Sequence, residues 1–222
     1  MTRKRADSLI VLMLGAFVFL LHGVVAERSS VVSMADFKVI YFGSRCLLEH
    51  SDPYNPSEMN HVFLSEGGES PADSPKMQRF WYSAVAIFVY LPSSWFLALP
   101  FALLPLSPAI ALWMVLTAVL YLLAAYLTLA QANEDGILMS AVLMAVFIAN
   151  SAMLLEIGNA AGFAVSLCAI AVWCLLREKY EMAGVVCLAS GVPGKICTSG
   201  SETNWYGRSK EWARQGSTHL SR

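Results

Sequence analysis

The groups in this sequence best suited to chemistry are carboxylates beside apolar runs. Asp36 stands ten residues after an uncharged stretch that ends at Ala26. A carboxylate so placed is tied to the bilayer boundary, where a lipid phosphate also sits, and can take a proton from a hydroxyl nucleophile as general base. A helix start favours an acid at the same place, because the dipole's positive end attracts it. Arg45, nine residues on, can meet a lipid phosphate or balance Glu49. His50 and Asp52, just ahead of Pro53 and Pro56, can hold a phosphate or a metal, or close an Asx-type turn. Glu156 interrupts two apolar runs at a Gly-Asn turn. Carboxylates at or inside a bilayer are functional candidates by default, although a turn glutamate that reaches water needs no function. The chain has no phosphate-binding glycine loop, no HExxH and no GxSxG. Its five cysteines show neither CxxC spacing nor pairing with histidine, so no metal, no cofactor and no structural disulfide are expected.

The elements that must position these groups follow from composition. Hydrophobic residues make up 57% and charged residues 14% of the chain, against roughly 45–50% and about 25% in an ordinary globular protein. Mean hydropathy is +0.56. The uncharged stretches are 8–26, 80–133, 136–155 and 157–176. A bilayer core takes about 20 apolar residues per helix, so the expected fold is an all-α polytopic transmembrane helical bundle of five or six spans. Such a chain is not a cytosolic enzyme or a disulfide scaffold. A net charge of −1 supplies no field for a polyanion. The bilayer is the expected partner and nucleic acid is not.

Thr2-Arg3-Lys4-Arg5 precedes the first span, Leu9 to Ala26, and places the N-terminus in the cytoplasm by the positive-inside rule. Val24-Val25-Ala26 resembles a cleavage site, but the apolar run is long and further spans follow, so an uncleaved anchor is expected. Residues 27–79 then hold eight of the sixteen carboxylates. Within an external loop at 27–82, Val31 to Leu48 has a helical rhythm, with Phe37, Ile40, Tyr41, Ser44, Leu47 and Leu48 on one face. That helix would lie along the membrane surface or against the bundle. Asp52-Pro53-Tyr54-Asn55-Pro56 and Gly67–Pro75 break regular structure, and Trp81, Tyr82 and Trp95 read as interfacial aromatics. Further spans are expected at 84–104, 109–130, 137–155 and 160–176, with a sixth beginning at Met182. Strict alternation would put Arg177 and Lys179 outside, against the positive-inside rule. They fall inside if 80–133 makes an odd number of crossings with a re-entrant piece around Pro92–Pro105.

The run from Asp36-Phe37-Lys38-Val39-Ile40-Tyr41-Phe42-Gly43-Ser44-Arg45 to Asp52-Pro53-Tyr54-Asn55-Pro56 resembles the first external loop of glycosyltransferase family 87. These are GT-C-type polytopic enzymes that use polyprenyl-phosphate sugars, and they include mycobacterial mannosyltransferases. Tyr90-Leu91-Pro92, Pro100 to Pro105 and Trp113 look like the family's second and third spans. Gly158-Asn159 stands where many relatives have Gly-Gln. The resemblance implies a multi-pass protein of the cell membrane that moves a hexose, mannose being the first candidate, from a polyprenyl-phosphate-linked donor. It implies that Asp36 is the catalytic base. Arg45, His50 and Asp52 are the candidates for substrate binding, Asp52 matching the loop motif without an assignable role, and the resemblance demands no tightly bound metal.

Family members are longer and continue from the Met182–Ser190 region into a lysine-proline motif, which this chain lacks. The expected division is therefore a GT-C-like membrane region, 1–190, followed by a polar basic, disordered tail, 191–222, with the break resembling a truncation or frameshift. An inactive fragment and a small polytopic transporter or scaffold are the competing readings.

Overall fold

The computed structural model of the 222-residue chain describes residues 2–29, 33–66 and 93–189. The tail at 191–222, the Gly67–Pro75 stretch, Trp81, Tyr82 and the first part of the expected second span lie outside them. The described residues are helical, with no strand among them. In chain order the helices are α1 (Arg3–Ser29), α2 (Ala35–Leu48), α3 (Pro56–Ser65), α4 (Ser93–Ala102), α5 (Leu106–Leu129), α6 (Ile137–Ala149), α7 (Met153–Glu156), α8 (Ala160–Leu176) and α9 (Tyr180–Ala189).

Among the described residues, three stretches are long and apolar enough to cross a membrane: Arg3–Arg28, Leu106–Leu129 and Ile137–Glu156. Ala160–Leu176 is a shorter apolar helix, with the bounds expected for a fifth span. The protein is an all-α membrane helical protein. Five or six spans were expected; the described residues hold three helices of spanning length and the shorter apolar helix Ala160–Leu176.

Each span separates an inner stripe from an outer one. On α1, Ser8, Leu12, Gly15, Phe19 and Gly23 are buried while Ile10, Met13, Leu14, Phe17 and Leu21 are exposed. The buried positions recur every three or four residues, the helical period. Gly15 lets α1 and α6 touch: a Cβ there would lie 2.7 Å from the Ala145 Cα. Small residues in the seam allow this backbone approach where lipid supplies no hydrophobic drive between helices.

Contacts between helices fix which ends cluster. Arg5 Nε is 2.6 Å from Glu134 Oε1, and Lys4 Nζ is 3.5 Å from Asp135. Gly15 meets Ala145 of α6 and Gly23 meets Leu155 of α7, so α1 runs parallel to the α6–α7 segment. Trp113 of α5 stacks on Phe163 of α8, with centroids 5.3 Å apart, and Ala124 and Thr128 share a groove with Val165 and Ala169, so α5 and α8 also run parallel. One end of the bundle therefore gathers Lys4, Arg5, Glu134, Asp135 and the end of α8 with Arg177. The other gathers the end of α1, helices α2 and α3, Leu104 and the Glu156–Asn159 turn.

This clustering bears on the topology conflict. Glu66 and Leu104 both contact α2, through Arg45 and Tyr41, at the same end. From Leu104, at that end, α5 leads to Leu129 beside Arg5 at the opposite end, so among the described residues α5 is the helix of spanning length between Glu66 and Asn133. Arg177 then lies at the end that holds the N-terminal bases, as the odd-crossing alternative required.

Helix α2 begins four residues later than its sequence rhythm suggested, because Met34 takes a left-handed conformation at φ 55° and stops the helix from extending toward α1. Of the two placements open to it, α2 takes the one against the bundle. Phe37, Val39, Ile40, Tyr41, Phe42, Gly43, Ser44 and Cys46 are all buried, covering far more than one face, while Leu48 is exposed. Phe37 lies 4.9 Å from Trp113 and 5.9 Å from Phe101, and Phe42 lies 5.3 Å from Phe63. The aromatic layer binds α2 to α3, α4, α5 and α8.

Candidate active site

Asp36 occupies the first turn of α2 and is half-buried. Two backbone bonds hold that turn: Met34 N–H donates to the Glu156 carbonyl at 2.7 Å, and Asp36 N–H donates to the Ile157 carbonyl at 2.9 Å. Both donors belong to the group that a helix start leaves without intrahelical partners. The acceptors lie in the turn between α7 and α8. Gly158 enters it at φ 68°, and the Asn159 side chain caps α8 by accepting from Ala161 N at 2.7 Å. The interruption that the sequence showed at Glu156 is thus the seat of Asp36.

Next to it, Lys38 Nζ donates to the Ser33 carbonyl at 2.8 Å, and Ser33 Oγ donates to Glu27 Oε1 at 3.0 Å. Burial lowers the Lys38 ammonium below its usual range, with Glu27 opposing the shift. This chain of polar contacts joins the end of α1 to the start of α2.

The other three sequence candidates are gathered elsewhere. Arg45 is nine residues along the same helix, half a turn out of phase and about 13.5 Å up the axis from Asp36. Its guanidinium reaches Glu66 at 2.6 Å, Glu49 at 3.7 Å and the Ala102 carbonyl at 3.3 Å. Tyr41, one turn before it, donates to the Leu104 carbonyl at 2.8 Å. Together they satisfy carbonyls at the end of α4, where Pro105 supplies no N–H to continue the helix.

His50 is exposed at φ 57° just past α2. Asp52 is exposed, and its Oδ1 accepts from Tyr54 N at 2.9 Å, the Asx-turn geometry. Asp52 N–H donates to Glu58 Oε2 at 2.5 Å. The structure thus sets Asp36 at one end of α2 and brings Arg45, His50 and Asp52 together at the other.

The sequence reading missed Glu66, which pairs with Arg45, and the carbonyls of Glu156 and Ile157. Backbone acceptors carry no side-chain signature, so only the Gly-Asn interruption pointed to them. It also expected no structural disulfide, whereas Cys187 is disulfide-bonded. Cys46, Cys168 and Cys174 are free.

Among the described residues no cluster of His, Cys, Asp and Glu could hold a metal ion. A cavity of about 220 Å³ between Arg5, Leu9, Tyr126 and Ile137 opens at the end of the bundle away from Asp36. Asp36 does not line it.

Residues 88–193, just under half of the chain, match Glycosyltransferase family 87. The family resemblance is borne out over that stretch, which supports a membrane glycosyltransferase in general terms and a lipid environment with a lipid-linked donor. No curated protein and no solved structure matches the chain.

Proposed function

We propose that Asp36 is the general base of a hexosyl transfer on the non-cytoplasmic face. It takes the proton of an acceptor hydroxyl as that oxygen attacks the anomeric carbon of a hexose, mannose first among candidates, and polyprenyl phosphate leaves with the electron pair of the broken bond. The N-terminus and Arg177 then share the cytoplasmic side, and the protein is a multi-pass component of the cell membrane.

The observation that carries this reading is the anchorage of the Asp36 turn. The stretch that matches the family holds Glu156 and Ile157, whose carbonyls bind the turn bearing Asp36. In this reading Asp36 alone meets the reacting atoms. Arg45 and Asp52 serve substrate binding by shaping the loop, and His50, exposed beside them, is free to touch the substrate directly.

Membranes carrying the chain, supplied with polyprenyl-phosphate-linked radiolabelled mannose, test the reading. Replacing Asp36 with Asn is expected to cut transfer by about 10²–10⁴-fold, the range for loss of a general base, with protein level and melting unchanged. An Asn variant as active as the native chain would overturn the assignment. Absence of transfer by the native chain would overturn the activity itself.

A further inference from the structure

We infer that the Glu156–Asn159 turn is a positioning element for the base, with Gly158 as the residue on which it depends. The inference rests on the assignment of Asp36 and extends it to a segment more than a hundred residues away in the chain. Two carbonyls of the turn accept the N–H groups of Met34 and Asp36, at 2.7 and 2.9 Å, so the turn serves as the N-terminal cap of α2. Met34, at the cap position, makes no side-chain cap hydrogen bond of its own.

Presenting both carbonyls requires the backbone to reverse at residue 158, where φ is 68°, a conformation that side chains with a Cβ rarely adopt. It also requires contact with α2. A Cβ on Gly158 would stand 2.7 Å from the Phe37 Cβ and 3.2 Å from the Met34 Sδ. The Phe37 Cβ is fixed to the backbone and cannot rotate aside. Phe37 itself is wedged against Trp113 and Phe101, so α2 cannot retreat without opening the aromatic layer. Any side chain at 158 must therefore push the turn away from α2 and carry the carbonyls off the Asp36 turn.

Gly158→Ala is expected to lower kcat for transfer from polyprenyl-phosphate-linked mannose by about 100-fold, the scale of a misplacement near 1 Å, with KM for the donor unchanged. In the same protein, hydrogen exchange at residues 34–38 should speed up while α5 keeps its native protection, which shows the fold intact. Gly158→Asn separates contact from strain, since Asn tolerates a left-handed backbone yet still carries a Cβ. It should behave like the Ala variant, and Gly136→Ala, with nothing within 4 Å, like the native chain.

Native exchange at 34–38 in Gly158→Ala, or full activity despite accelerated exchange, overturns the inference. Restored activity in Gly158→Asn also does. Retained transfer in Asp36→Asn would instead sink the base assignment, while the exchange measurement still decides the seating.

Discussion

Cys46 and Tyr41 show how far the loop helix is withdrawn from water. Burial first, then the charges of Glu49, Glu58 and Asp52, push the Cys46 thiol up to about 12 from 9.0. Burial, then Glu66, raises Tyr41 to about 12 from 10.0, with Arg45 opposing. Both groups hold their protons more tightly when folded, so the unfolded chain releases protons first as pH rises. Stability from these sites is complete below about pH 9 and falls as pH climbs from 9 toward 12. Melting temperatures should decline over that window, and Cys46→Ala should flatten the decline below pH 10. Thermal melts across the range check this, and an unchanged slope would contradict it. At this scale the sequence was legible where a side chain serves its neighbours: Asp52 closes the Asx turn that its spacing allowed. It was not legible for Arg45, whose principal partner, Glu66, lies 21 residues on and is met only after α3 folds back.

Among the elements, α3 had its signals in plain view. Asn55-Pro56-Ser57-Glu58 sets a cap, a proline suited to the first turn and an acid at the third helical position. In the structure Asn55 Oδ1 accepts from Ser57 N at 3.1 Å, and Asn55 Nδ2 donates to Glu58 Oε1 at 2.8 Å. Reading Asp52 to Pro56 as a break hid the helix that the break begins. Asn55→Ala should cost about 1 kcal/mol, measured as lost thermal stability, and a melt equal to the native one would show that the packing of Met59, Val62 and Phe63 suffices alone. The spans were the easiest elements to read. An uncharged run in a bilayer must be helical to satisfy its backbone, so charges such as Glu134 and Arg177 mark their limits. The partner of α2 was unreadable because Phe37, Trp113 and Phe163 meet across more than a hundred residues without any local period to announce it.

For the molecule as a whole, the useful quantity is which ends lie together. Single cysteines introduced at Thr2, Asp135 and Glu178 in a chain otherwise free of accessible thiols should react with an impermeant reagent from one side of the membrane, and one at Tyr54 from the other. Labelling of positions 54 and 135 from the same side would refute the crossing assigned to α5, and labelling of 135 and 178 from opposite sides would refute the paired crossings of α6 and α8. The same arrangement governs the order of assembly. The acceptors for the first turn of α2 lie at Glu156 and Ile157, and its aromatic cover includes Trp113 and Phe163. While the ribosome is still making α5, the early loop has neither its cap nor its lid. Phe37 and its neighbours must wait unsheltered until α8 is synthesised, so completion of this corner is timed by one of the last helices described.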